Sequence, residues 1–117
     1  MKKIFLALLI LLFAISGVRV CFAASVSKEI TAVDEWTNPI PVTPLLGYKP
    51  GYLNISVSGT WVGTVALQRR FSGGSWANVK TWETNTEKAL IDLEPEIQYR
   101  IGSTAYTSGT ITVRLGN

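Results

Sequence analysis

Beyond residue 24 the chain alternates apolar and polar positions with a period of two and never sustains the 3.6-residue period of an amphipathic helix. Leu53, Ile55 and Val57 alternate with Asn54, Ser56 and Ser58, and Val65 and Leu67 stand against Thr64, Ala66 and Gln68. Successive side chains of a strand point to opposite faces, so each run predicts a strand with one buried face. The same reading holds for Ala89, Ile91 and Leu93 against Lys88 and Asp92, for Ile97, Tyr99 and Ile101, and for Ile111, Val113 and Leu115. Weaker runs at 26–33 and 76–83 bring the expected count to about seven, separated by turn signals at Pro50-Gly51, Ser58-Gly59, Gly73-Gly74 and Ser108-Gly109. Short strands with one apolar face each predict an all-β, two-sheet antiparallel sandwich. The segment 37–50, with Pro39, Pro41, Pro44 and Pro50, is expected at an edge or in a crossover, because proline cannot donate to a central ladder.

The first residues follow another pattern. Lys2 and Lys3 precede an apolar run at 4–18, and Cys21 and Ala23 put small side chains where a leader peptidase cuts. This predicts an N-terminal signal helix within a leader at 1–23, a domain at 24–117, and export to the periplasm or the extracellular space. A retained anchor is the competing reading. At 1.5 Å per residue the run rises about 22 Å, short of the roughly 30 Å hydrocarbon core, and Arg19 interrupts its extension. Membrane association is therefore expected only through an uncleaved leader.

Charge changes meaning once the leader is set aside. The chain has 11 Lys and Arg against 8 Asp and Glu, but Lys2, Lys3 and Arg19 lie before Ala24, so the domain carries 8 of each and no net charge. No basic footprint for nucleic acid remains. The domain has neither cysteine nor histidine. Imidazole-based nucleophilic catalysis and zinc, copper, haem or iron–sulfur sites thereby lose their usual groups, and no phosphate-cradling glycine motif is present. The expectation is a non-enzymatic protein without metal or cofactor.

Residues 93–101, LEPEIQYRI, carry the most specific local pattern. Leu-x-Pro-x-x-x-Tyr before an alternating run resembles the corner of fibronectin type III and related immunoglobulin-like sandwiches. The resemblance implies an immunoglobulin-like fold in which the Tyr99 hydroxyl bonds to backbone a few residues upstream, with Leu93 and Pro95 as structural members of the same corner. Further stretches, ISVSGTWVGTVALQRRFSGGSWANVKTW, EPEIQYRIG and YTSGTITVRL, resemble small β-sandwich structural proteins of tailed phages and prophages. That similarity implies assembly or adhesion. Asp92, Glu94 and Glu96, two residues apart on an extended chain, read either as solvated turn residues or as a hard-oxygen arrangement for calcium.

The tryptophans pose the functional question. Trp76, Asn78, Lys80 and Trp82 share one parity, with Ala77, Val79 and Thr81 on the other. If the smaller face is buried, Trp76, Trp82 and Lys80 stand outward beside Arg70, Arg100 and Arg114 of neighbouring strands, a face suited to sugar rings or anionic groups. The competing reading packs both tryptophans into the core. Trp36 and Trp61 are expected in the core or at a corner. The function read from these features is an exported binding or assembly module, a surface or virion-type structural or adhesion protein. A carbohydrate-binding module using the Trp/Arg face is the alternative. A protein assembly partner or a cell-surface glycan is the expected ligand, with no nucleic acid, and a homo-oligomer stays open.

Overall fold

The computed structural model describes residues 24–42 and 51–117. The expected signal helix at 1–23 and the stretch 43–50 lie outside the described residues. The rest is all-β: β1 (Ser25–Ile30), β2 (Ile40–Val42), β3 (Gly51–Phe71), β4 (Ala77–Trp82), β5 (Thr86–Asp92) and β6 (Ile97–Gly116) form one antiparallel six-stranded sheet.

Two long strands replace four of the expected short ones. The runs around Ile55 and Leu67 belong to β3, and those around Tyr99 and Val113 belong to β6. Ser58-Gly59 and Ser108-Gly109 do not end strands; they are bends inside them. Gly59 has φ 107° and Gly109 φ 92°, conformations that a side chain disfavours. The glycines flank one rung, Thr60 opposite Thr110, with Gly59 opposite Ile111 on one side of it and Trp61 opposite Gly109 on the other. A Cβ on Gly109 would run into the Thr60 carbonyl, so the strands can bend together only where both lack side chains. Asn85, in the β4–β5 link, braces this bend. Its Oδ1 accepts from Trp61 Nε1 at 2.8 Å, and its Nδ2 donates to the Gly59 carbonyl at 3.0 Å.

On one side of the bend β1 flanks β6 at 111–116 and β5 flanks β3 at 51–57; on the other β2 flanks β6 at 97–99 and β4 flanks β3 at 65–69. In the described part of the proline-rich segment, β2 takes the expected edge position, where Pro41 needs to donate no ladder bond. The ends of the long strands then return to one another: Asn117, just past β6, donates to the Pro41 carbonyl at 2.6 Å. Both halves bury residues into one core. Ile30, Leu53, Ile55, Val57, Ile111, Val113 and Leu115 come from the first half, and Ile40, Val42, Val65, Leu67, Ile97, Tyr99 and Ile101 from the second. Each fully buried aliphatic side chain contributes about 1.5–3 kcal/mol over its exposed state, which is what holds a domain without disulfides.

The strand β5 reverses the expected parity. Leu53 pairs with Leu90 and Gly51 with Asp92, so Leu90 and Asp92 turn inward while Ile91 and Leu93 are 57% and 72% exposed. The apolar count of the segment favours the other register. A charged cluster decides it. Asp92 accepts Arg69 Nε at 2.8 Å and Nη2 at 3.3 Å, the Tyr99 hydroxyl at 2.7 Å and the Glu94 amide at 3.0 Å. A carboxylate so buried is sustained only by such saturation.

Candidate functional site

The face of β3 and β6 turned away from the core, in the half flanked by β2 and β4, is built from the same alternation that buries Leu67 and Ile101. Gln68 stands opposite Arg100 and Arg70 opposite Gln98, so an amide faces a guanidinium in alternate rungs, in crossed order. Arg70 Nε donates to Gln98 Oε1 at 2.8 Å and Arg100 Nε to Gln68 Oε1 at 2.8 Å. Gln68 Nε2 in turn donates to Asn78 Oδ1 of β4 at 2.9 Å. Each arginine is thus held by its inner nitrogen.

Two indoles complete a row. The Arg70 guanidinium carbon lies 4.4 Å from the centroid of the Trp76 ring and that of Arg100 lies 4.5 Å from it. Arg100 also stands 4.3 Å from the Trp36 ring. Trp36 makes an isolated bridge to Gly102, where a Cβ would collide with the indole, so the missing side chain at 102 is what lets Trp36 lie down on the sheet beside Arg100. The row Arg70–Trp76–Arg100–Trp36 alternates cation and ring, each contact worth about 0.5–2 kcal/mol depending on solvation.

The row carries charge without counter-charge. All 8 carboxylates of the chain lie within the described residues, and the ion pairs there are Lys28–Glu35 at 3.8 Å and Arg69–Asp92 at 2.8 Å. Neither Arg70 nor Arg100 has an acid. Among the described residues only their Nε atoms are hydrogen-bonded, leaving the terminal nitrogens of both forks unused. Burial, and then the neighbouring Arg70 charge, push the Arg100 guanidinium below its ordinary value.

Of the six expected contact residues the structure gathers Arg70, Trp76 and Arg100. Shared parity along 76–82 fails because of a β-bulge. Leu67 pairs with Lys80 and Gln68 with Asn78, which leaves Val79 as an extra residue and inverts the face across it. Lys80 and Trp82 consequently lie on the side of Leu67 and Val65. Trp82 is half-buried against the core, and Lys80 is exposed beside it. Arg114 lies beyond the bend, opposite Ser56, with its Nε 3.2 Å from Ser25 Oγ. Trp36, expected in the core or at a corner, joins the row instead. The signal available for it was Gly102, the sole glycine within 97–103, at an outward position. Trp61 meets the corner expectation, half-buried at the bend.

The corner at 93–101 is also built differently. The Tyr99 hydroxyl donates to the Asp92 carboxylate, not to backbone. Leu93 and Pro95 are exposed and anchor nothing in the core, while Glu96 turns the chain with φ 60°. Asp92, Glu94 and Glu96 do not converge: Asp92 is spent inside on Arg69, Tyr99 and the Glu94 amide, and the two glutamates are solvent-exposed. Burial alone would raise the Asp92 carboxyl, but the hydrogen bonds from Arg69, Tyr99 and the Glu94 amide outweigh it and hold the group below the usual carboxylate range. Burial, then the bond to Asp92, pushes the Tyr99 phenol well above its ordinary value. With every oxygen occupied, this cluster has no free lone pair aimed at solvent and serves as a structural lock. Compared with family models, curated proteins and solved structures, the chain matches none.

Proposed function

We propose that this chain is an exported, non-enzymatic binding or assembly module, a surface or virion-type structural and adhesion protein carried on an immunoglobulin-like sandwich whose two layers are the two halves of the bent sheet. The observation that carries the reading is the Arg70–Trp76–Arg100–Trp36 row on the solvent side of the sheet. Tryptophan and arginine are the residues that most often dominate binding energy at contact surfaces, because they combine large area with directional donors. Here they are pre-ordered by the Gln68 and Gln98 amides, so little side-chain entropy is left to lose on contact. The core contacts between the two halves of the sheet support the sandwich, and Lys2 and Lys3 followed by the apolar run at 4–18 support export. Among the described residues, the buried ionisable cluster around Asp92 is saturated internally, which suits a scaffold better than proton transfer.

The test is attachment of the protein as exported by an expressing cell to intact bacterial cells and to isolated envelope. Arg100→Gln and Trp76→Ala, each still cooperatively folded at the assay temperature, should lower attachment at least tenfold. Equal attachment of wild type and both variants, or none by wild type at high micromolar concentration, would sink the reading.

A further inference from the structure

The guanidinium nitrogens that have no hydrogen-bond partner among the described residues make the row more specific than a general contact surface. Resting on the reading of this face as the contact surface, we propose that Arg70 and Arg100 form an oxyanion site that takes the carboxylate or sulfate ester of an acidic polysaccharide. The guanidinium carbons lie 4.4 and 4.5 Å from the same Trp76 ring centroid, so both forks border one indole and a single polymer segment crossing it reaches both. Like charges so placed repel, and the chain supplies no acid to relieve them although all of its carboxylates lie among the described residues. Acidic groups of one polymer segment, seated on the terminal nitrogens of the forks, offset that repulsion and satisfy those donors in the planar, paired geometry that arginine favours.

The polymer class follows from what surrounds the forks. The outward positions here are Gln68, Asn78 and Gln98, amide groups that match hydroxyls, with indoles alongside. Tryptophan and arginine also serve protein–protein contacts, but the centre of such a contact is otherwise apolar and depleted of charge. This face has no such centre, because each indole of the row is stacked by arginine. The domain has no net charge either, so no long-range field gathers an acidic protein, and attraction acts only at short range.

The experiment titrates the full-length chain with polygalacturonate (uronate), heparin (sulfate ester), neutral dextran and polyglutamate, read by tryptophan fluorescence and affinity electrophoresis at 50 and 300 mM salt. Binding to polygalacturonate or heparin, at least tenfold weaker at the higher salt and absent for dextran, is expected; which of the two binds more tightly assigns the carboxylate or the sulfate. Arg70→Gln and Arg100→Gln should each weaken it about tenfold or more, Arg100→Lys should recover only part, and Lys88→Gln on β5 should leave it unchanged. Should Arg100→Gln unfold, Arg70→Gln decides alone. The proposal is overturned if polyglutamate binds as tightly as the polysaccharides, if dextran binds equally, or if the Lys88 and Arg70 variants behave alike. Loss of cell attachment by the arginine variants together with no acidic-polysaccharide binding would overturn this ligand class and leave the contact surface standing.

Discussion

Tyr99 and Asp92, seven residues apart in sequence, meet through a 2.7 Å hydrogen bond in which the phenol donates to a carboxylate also gripped by Arg69 from the facing half of β3. The bond ties the end of β5 to the start of β6 and joins the two ends of the folded sheet. A neutral corner would have used a backbone carbonyl. Here the acceptor is charged, and its partner Arg69 is recruited from the rung opposite Tyr99.

Removing the phenol oxygen should therefore be costly. Tyr99→Phe is expected to lower unfolding free energy by about 1–3 kcal/mol, because a buried carboxylate loses one donor. Urea denaturation checks this, and an unchanged midpoint would mean the bond contributes nothing net.

The same cluster sets the pH limits. Asp92 is held below the usual carboxylate range, so its contribution is complete above about pH 4 and is lost as pH falls below that. Tyr99 is raised, so its contribution is complete below about pH 10 and is lost as pH climbs further. Stability should be flat between these limits as far as this cluster is concerned. Asp92→Asn should be less stable at pH 7 yet lose less between pH 5 and pH 3 than wild type; parallel acid limbs for the two proteins would refute the assignment.

The bulge at Val79 separates two tryptophans that the alternation would pair. Trp82→Ala should destabilise by about 2–4 kcal/mol, since the ring packs against the core, whereas Trp76→Ala should cost no more than about 1–2 kcal/mol from its two cation–π contacts. Thermal denaturation of both variants gives the comparison. A larger loss for Trp76→Ala would place that ring, not Trp82, in the fold's interior.

Cleavage after Ala23 is expected to leave Ala24 as the first residue. Its backbone nitrogen lies 2.6 Å from Asn117 Oδ1, and its carbonyl accepts the Asn117 amide at 3.0 Å, so a new terminus there keeps its partners at the start of β1. Intact mass of the exported product tests this; a start at another residue, or recovery only with membranes, would count against it.

Alternation by itself determined that the chain is all-β and which residues of β3 and β6 are buried, because Leu53, Ile55, Val57, Ile97, Ile101, Ile111, Val113 and Leu115 need only their own parity to find the core. Half of the candidate site was legible on the same ground: Arg70 and Arg100 are outward on any strand that buries Leu67 and Ile101. Tertiary structure decided the rest. Whether Gly59 and Gly109 end strands or bend them depends on their flanking the same rung of the ladder, a fact of two segments about fifty residues apart. Asp92 turns inward against its segment's apolar preference because Arg69 and Tyr99 wait on other strands. Val79 is extra only in relation to β3, and Trp36 reaches Arg100 only because Gly102 leaves room. Parity is a property of one strand and can be read along it; register, bulges and the stacking of rings on cations belong to pairs of segments that come together only in the fold.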